Sequence, residues 1–131
     1  MLLSYLKIYM VMEIPFTCSF KDKIIVDIGG NIGDTALIYA KEGAEVYAFE
    51  PLLPIYDIAI KNIDLNPSLK DKIHFYNYAI SDKKGNVNIS YNGDGTSAGS
   101  SIYVDGEINF EVKSITMEDI YDIIPNPDLL Q

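Results

Sequence analysis

The chain has 131 residues, of which 48% are hydrophobic and 22% are charged, a composition typical of one globular domain with a sizeable core. Its formal net charge of -9 disfavours nonspecific binding to nucleic acid. Every basic residue is a lysine, so this chain offers no arginine to clamp a phosphate or a carboxylate in bidentate fashion.

Residues 1–20 are rich in apolar side chains but lack the marks of a targeting or membrane segment. No basic stretch opens them, Lys7 interrupts the apolar run, and no small-residue cleavage site follows. A bilayer span needs about 20 apolar residues in succession. We therefore expect a single domain, 1–131, without a membrane span, whose N-terminal segment packs on the core or on a partner subunit.

Cysteine and histidine each occur once, which limits the chemistry of the chain. Cys18 has no partner for an internal disulfide, so a reducing compartment such as the cytoplasm fits best. We interpret Cys18 as a small buried apolar residue, because a catalytic thiol needs a base nearby. His74 falls inside a predicted strand, where a lone histidine is more often structural than catalytic. We expect no metal site.

Strand and helix patterns alternate through the first part of the chain. Continuous apolar runs predict central parallel strands that are buried on both faces, and apolar residues at helical spacing predict helices between them. Gly43 ends the first helix, and Asn66 with Pro67 ends the second. This order implies a parallel sheet with right-handed crossovers. The predicted elements are a strand at 23–28, a helix at 31–42, a strand at 45–49, a helix at 54–65 and a strand at 73–79.

The pattern changes in the second part of the chain. Alternating apolar and polar residues predict a half-exposed strand, and a run of small residues at 92–100 predicts a loop. Asp105 and Gly106 stand between two apolar runs and predict a β-hairpin. Thr116, with Asp119 three residues later, predicts a capped short helix. The elements expected here are a strand at 87–91, hairpin arms at 101–104 and 108–114, and a helix at 117–124.

A glycine-rich turn joins the first strand to the first helix, and a second strand ends at Glu50 roughly twenty residues later, the spacing of nucleotide-binding folds. That pair is typical of a nucleoside site, because glycines let the backbone approach the ligand and a carboxylate binds the ribose hydroxyls. A tight bend without a ligand is the alternative, and the position of Glu50 favours the nucleoside site. The candidate residues of the turn are Asp27, Gly29, Gly30, Asn31 and Gly33.

The turn departs from the dinucleotide fingerprint, which needs glycine where this chain has Asn31 and Asp34. The Asp34 carboxylate would repel a pyrophosphate, whereas S-adenosylmethionine has no phosphate and carries a sulfonium. The pattern acid-x-Gly-x-Gly-x-Gly, common in class I methyltransferases, fits with one glycine replaced by Asn31, a residue that tolerates left-handed backbone angles. Asp27 would then hold the methionine ammonium, directly or through water, and Glu50 would accept hydrogen bonds from both ribose hydroxyls.

Six short blocks, taken in order, resemble the FkbM family of S-adenosylmethionine-dependent methyltransferases. The first is moderately specific by itself, and the ordered series is much more so. The resemblance covers the chain from about residue 24 to its end. The blocks are DIGGNIGDT (27–35), AFEPL (48–52), NIDLN (62–66), YAISD (78–82), GSS (99–101) and VKSITMEDI (112–120).

The resemblance implies an α/β, Rossmann-like class I methyltransferase fold, here a partial parallel sheet with an added β-hairpin. It implies transfer of a methyl group from S-adenosylmethionine to an oxygen of a sugar or other small metabolite. It places Ala79 and Ile80 near the adenine, with Asn77 or Ser81 as polar contacts. The positions that match the family in the turn and after the second strand are Asp27, Gly29, Gly30, Asn31, Gly33, Glu50 and Pro51.

The last residues depart from the family, in which the short helix leads to a fourth strand, an Asp-x-Glu-Gly segment and further strands. Residues 128–131 resemble only the beginning of that strand, so we expect a truncated domain. The apolar edge of the first strand would then be unpaired unless another element or a second copy of the chain covers it.

We therefore expect a methyltransferase that acts on a small-molecule acceptor. The alternatives are a non-catalytic cofactor-binding domain that folds as an oligomer and, less favoured, an NAD-dependent oxidoreductase. The catalytic residues are unknown from the sequence. The carboxylates of Asp94 and Asp105 lie in predicted turns, where solvated acids are expected.

Overall fold

The computed structural model describes residues 20–91, 108–124 and 126–131, and these residues form an α/β structure with two sheets. The prediction of an α/β fold with a parallel sheet is confirmed. Along the chain the elements are β1 (Ile24–Ile28), α1 (Asp34–Lys41), β2 (Glu45–Phe49), α2 (Leu53–Asp64), a short 3-10 helix (Lys70–Lys72), β3 (Ile73–Tyr76), β4 (Ala79–Ile80), β5 (Gly85–Tyr91), β6 (Ile108–Ile115), α3 (Met117–Ile123) and β7 (Leu129–Leu130).

The main sheet has the strand order β3-β2-β1-β7, and every neighbouring pair is parallel. Residues of α1 and α2 form one buried cluster with Ile25 and Val46. Residues of α3 form another, in which Ile120 packs with Val26 and Phe49. Both faces of β1 and β2 are therefore covered, as their continuous apolar runs predicted. Among the described residues, no helix has the length and apolar character that a membrane crossing needs.

The first two predicted helices are confirmed with shifted ends. Helix α1 begins at Asp34 rather than at residue 31, because Asn31 and Gly33 adopt φ angles of 54° and 83°. Such left-handed angles cannot be part of a right-handed helix. Gly43, with φ 97°, follows the end of α1 as predicted. Helix α2 lies one residue earlier than predicted at both ends.

The third predicted strand, 73–79, is wrong at its carboxyl end. Strand β3 stops at Tyr76, and Ala79 belongs to β4 in the second sheet. Between them, the Asn77 side-chain amide donates two hydrogen bonds of 2.9 Å to backbone carbonyls of the segment that follows β2. These bonds fix a turn where the apolar pattern predicted a continuing strand.

The second sheet has the order β4-β6-β5, with β6 antiparallel to β5 and parallel to β4. The strands predicted at 87–91 and at 108–114 are both confirmed, and the observed antiparallel partner of β6 is β5. The other arm, 101–104, and the loop 92–100 lie outside the described residues. Ile89 of β5 is buried in a cluster with Leu52 and Ile55, so this sheet packs against the beginning of α2.

Helix α3 begins with the capping box that the sequence predicts. The Thr116 hydroxyl accepts a hydrogen bond of 3.2 Å from the Asp119 backbone N–H, and the Asp119 carboxylate accepts one of 2.9 Å from the Thr116 N–H. Two backbone donors that the helix leaves unpaired are thereby satisfied. The cap holds α3 directly after β6, against the main sheet.

The edge of the first strand is covered by another element of the chain, one of the alternatives that the sequence left open. Strand β7 runs parallel to β1, with Leu129 beside Ile25 and Leu130 beside Val26. The backbone N–H of Ile28 donates to the Gln131 carbonyl at 2.8 Å. Residues 128–131 therefore follow the edge of β1 along its length. A homo-oligomer that covers the edge of the sheet stays a prediction. The argument for it is weaker, because the outermost strand is the short β7 and not the apolar β1.

Candidate functional site

The carboxyl ends of β1 and β2 are joined by hydrogen bonds from the glycine turn. The backbone N–H groups of Gly29 and Gly30 both donate to the Phe49 carbonyl at 2.8 Å. Gly29 has a φ angle of 77°, and a Cβ added to it would meet no atom of the described residues within 4 Å. The turn therefore presents bare backbone to open space at Gly29, where a ligand can approach closely.

Gly30 and Gly33 are explained by packing. A Cβ on Gly30 would lie 2.8 Å from Phe75 Cζ, which is too close, and 3.1 Å from Ala48 Cβ, which is a tight contact. A Cβ on Gly33 would lie 3.4 Å from the Ala59 side chain, and its φ angle of 83° disfavours any other residue. These two glycines let the turn pack against β2, β3 and α2, while Gly29 leaves the open side accessible.

Asn62 fixes the turn from behind, and sequence reasoning missed it. Its side chain is only 2% exposed, and its amide donates a hydrogen bond of 2.8 Å to the Ile32 carbonyl. The sequence does indicate a special role for this residue, because Asn62 interrupts the apolar stripe formed by Ile55, Ala59 and Ile63. A polar residue on the buried face of a helix needs a hydrogen-bond partner. Here the turn is the partner of the amide N–H, whereas within the described residues the Oδ1 atom of Asn62 has none.

Glu50 lies at the carboxyl end of β2 and is 4% exposed. Its two carboxylate oxygens accept hydrogen bonds from the Asn31 N–H at 3.0 Å and from the Leu52 N–H at 3.2 Å. Burial raises the pKa of Glu50 above its ordinary value, and the two backbone hydrogen bonds oppose that rise. Each oxygen keeps a lone pair for a further donor.

Asp27 is the most unusual residue of the site. It is 3% exposed, and within the described residues its Oδ2 atom is buried without a hydrogen bond. Burial, followed by repulsion from Asp34 and then from Glu50, raises the pKa of Asp27 from 3.8 to about 6. At neutral pH the group is therefore a poorly solvated carboxylate, and a bound cation would relieve its repulsion.

The carboxylates of Asp27, Asp34 and Glu50 make this end of the sheet strongly negative. The described residues contain no group of three or more histidine, cysteine, aspartate or glutamate side chains placed to hold a metal ion. An organic cation with hydrogen-bond donors fits better, since it can satisfy separated carboxylates one by one. An anionic pyrophosphate would be repelled by Asp34, which is the first residue of α1.

A cavity of about 550 Å³ opens beside the segment that follows Glu50. Pro51, Asn77 and Tyr78 line one side, and residues of β6 line the other. This volume is within the range of small-molecule sites. The Asn77 amide N–H groups are already used, because they donate hydrogen bonds to the Glu50 and Pro51 carbonyls. It positions the segment that carries the carboxylate.

The other residues that the resemblance places near an adenine make contacts within the protein itself. Ala79 is 3% exposed and pairs with Ser114, and Ile80 pairs with Ile115. The Ser81 hydroxyl contacts Asp82 at 3.1 Å within a local turn. Ala79, Ile80 and Ser81 therefore lie beyond Tyr78, and their contact with a ligand stays a prediction.

His74 lies away from the carboxyl ends of the strands. It is in register with Tyr47, stacks on its ring with centroids 4.5 Å apart, and has Nε2 2.8 Å from a Glu45 carboxylate oxygen. These contacts fit the structural role predicted for it. Cys18, Asp94 and Asp105 lie outside the described residues.

The comparisons with known proteins add no family to this picture. A scan against protein-family models matches none of them, and a search of curated proteins finds no match. The geometry at the ends of β1 and β2 is therefore the basis for the function proposed below.

Proposed function

We propose that this chain is an S-adenosylmethionine-dependent methyltransferase domain with a Rossmann-like class I fold. The strand order β3-β2-β1-β7 supports the proposal, because open parallel sheets bind ligands at the carboxyl ends of their strands. The glycine turn follows β1, and a carboxylate follows β2, at that edge. The resemblance to the FkbM family favours an oxygen of a sugar or another small metabolite as the methyl acceptor.

One observation carries the proposal: among the residues that the structure describes, a buried carboxylate oxygen of Asp27 has no hydrogen-bond partner, two residues before the open backbone at Gly29. Burying a charge without a partner is unfavourable, and such groups occur preferentially at functional sites. The α-ammonium of the cofactor would supply both the missing donor and the opposite charge. The sulfonium adds a second positive charge, which suits an acidic site.

The remaining parts of the cofactor also fit the residues present. Glu50 would accept hydrogen bonds from the ribose hydroxyls through its remaining lone pairs. The cavity beside Pro51 and Tyr78 would take the adenine between apolar walls. When bound, the cofactor supplies an activated methyl group. The residues of this chain bind and orient it, and positioning of this kind provides a large part of the rate enhancement in group transfer.

The direct test is calorimetric titration with S-adenosylhomocysteine, which retains the ammonium and the ribose. We expect binding by the wild-type chain and binding at least about tenfold weaker for Glu50→Gln, because charge-assisted hydrogen bonds are worth about 1.5–3 kcal/mol each. Glu118→Gln removes an exposed carboxylate on α3 and serves as the matched control, with unchanged affinity expected.

Three results would count against the proposal. They are no binding by a sample with cooperative thermal unfolding, equal affinities for the wild type and Glu50→Gln, and tight binding of NADH without affinity for S-adenosylhomocysteine. The last result would instead indicate an oxidoreductase. Circular dichroism of Glu50→Gln establishes that a loss of binding does not come from unfolding.

A further inference from the structure

A second cavity, of about 510 Å³, lies between the main sheet and α3. Phe49, Tyr76 and Tyr78 line it from the carboxyl ends of β2 and β3, and Ile123 lines it from the helix. It shares Tyr78 with the cavity beside Pro51, and its other lining residues differ from those of that cavity. Cavities of this size with mainly aromatic and aliphatic walls are typical of small-molecule sites.

The aromatic wall of this cavity is held in place by the sheet. Phe49 and Tyr76 are cross-strand partners, with ring centroids 5.3 Å apart and an angle of 24° between their planes. The next pair along the same strands, Tyr47 and His74, stacks in the same way. Paired rings of this kind have little freedom to reorient, so the buried Phe49 holds the Tyr76 ring fixed in the wall of the cavity.

The charged residues of the cavity leave an excess of negative charge. Lys84 Nζ lies 2.9 Å from an Asp119 carboxylate oxygen, so the charges of these two residues offset each other. Asp122 adds a third charge from the exposed side of α3. With one lysine and two aspartates, the lining has a net charge of -1.

We propose that this cavity binds a planar aromatic ligand that carries a positive charge, such as an aromatic amine. The aromatic group would pack against the half-buried rings of Tyr76 and Tyr78, where offset stacking is favourable. The ammonium would be attracted by Asp122 and by the face of an aromatic ring such as Tyr78. The exposed Ile123, at 61% exposure, would gain apolar contact with the bound ring.

Tryptamine is a suitable probe, because the chain contains no tryptophan and indole can be excited selectively. Fluorescence anisotropy of tryptamine is titrated with the protein, alongside neutral 3-methylindole and anionic indole-3-acetate. We expect saturable binding, tightest for the amine and weakest for the acid. Asp122→Asn should weaken tryptamine binding about two- to fivefold and leave 3-methylindole unchanged, as expected for an exposed charge pair.

Two further variants locate the binding site. Tyr76→Leu should weaken all three probes about two- to tenfold, because it removes one stacked ring. Glu111→Gln, which alters only the cavity beside Pro51, should change nothing. The proposal is overturned if tryptamine does not bind, if the three probes bind equally, or if Glu111→Gln weakens binding while Asp122→Asn does not. Asp122 is exposed, so its variant keeps the test decisive even if Tyr76→Leu fails to fold.

Discussion

The buried carboxylate of Asp27 destabilises the folded state when it is ionised. Most buried polar side chains in proteins have hydrogen-bond partners, and one oxygen of this carboxylate has none within the described residues. Its surroundings raise its pKa to about 6, so at neutral pH it remains ionised in a place that disfavours the charge. Local conflicts of this kind are expected where a site is shaped for a ligand.

The pH dependence of stability should reveal this conflict. Because the pKa of Asp27 is higher in the folded state than its ordinary value of 3.8, the folded state binds the proton more tightly, and stability falls as pH rises from about 4 to about 6. Relative to Asp27→Asn, the wild type should lose on the order of 3 kcal/mol of unfolding free energy across that interval. Urea titrations at pH 4 and pH 7 measure it.

Asp57→Asn is the control, since Asp57 is exposed on α2. The change in the stability difference between the two pH values should be larger for Asp27→Asn than for Asp57→Asn. A constant difference for Asp27→Asn would show that the buried carboxylate does not titrate as described.

At the scale of elements, the turn after β1 is held by three neighbours. Strand β2 accepts its backbone hydrogen bonds at Phe49, Phe75 of β3 packs where a side chain on Gly30 would lie, and Asn62 of α2 binds its carbonyl at Ile32. The turn is therefore preformed in the fold, and a ligand would not have to order it. Preformed sites lose less conformational entropy on binding.

Replacing Asn62 tests the contribution of α2. Asn62→Ala leaves the Ile32 carbonyl without its side-chain partner, and we expect a loss of about 1–3 kcal/mol in unfolding free energy, the usual penalty for an unsatisfied buried group. Affinity for S-adenosylhomocysteine should fall as well, because the turn loses a support. Chemical denaturation and calorimetry measure the two effects. Lys61→Ala, at an exposed neighbouring position, is the control, and equal behaviour of the two variants would refute the role of Asn62.

For the molecule as a whole, the sequence predicted those strands and helix ends that depend on local residue patterns. The apolar runs of β1 and β2 and the cap at Thr116 gave boundaries that lie within one residue of those observed. The departures arise from long-range contacts. The Asn77 amide turns the chain after Tyr76, and the two residues of β7 become a strand only because β1 lies beside them. The Asp27 oxygen that has no hydrogen bond within the described part of the chain likewise depends on packing from several elements.

The cofactor proposal is tested most directly by the protons exchanged when S-adenosylhomocysteine binds. A ligand ammonium at Asp27 favours the carboxylate form, so it lowers the pKa of that group and expels its proton. Near pH 6 we expect release of about half a proton per ligand, seen as a dependence of the calorimetric heat on the ionisation enthalpy of the buffer. The release should disappear near pH 8 and be strongly reduced in Asp27→Asn. Binding with no proton release near pH 6, or release that Asp27→Asn leaves unchanged, would contradict the account.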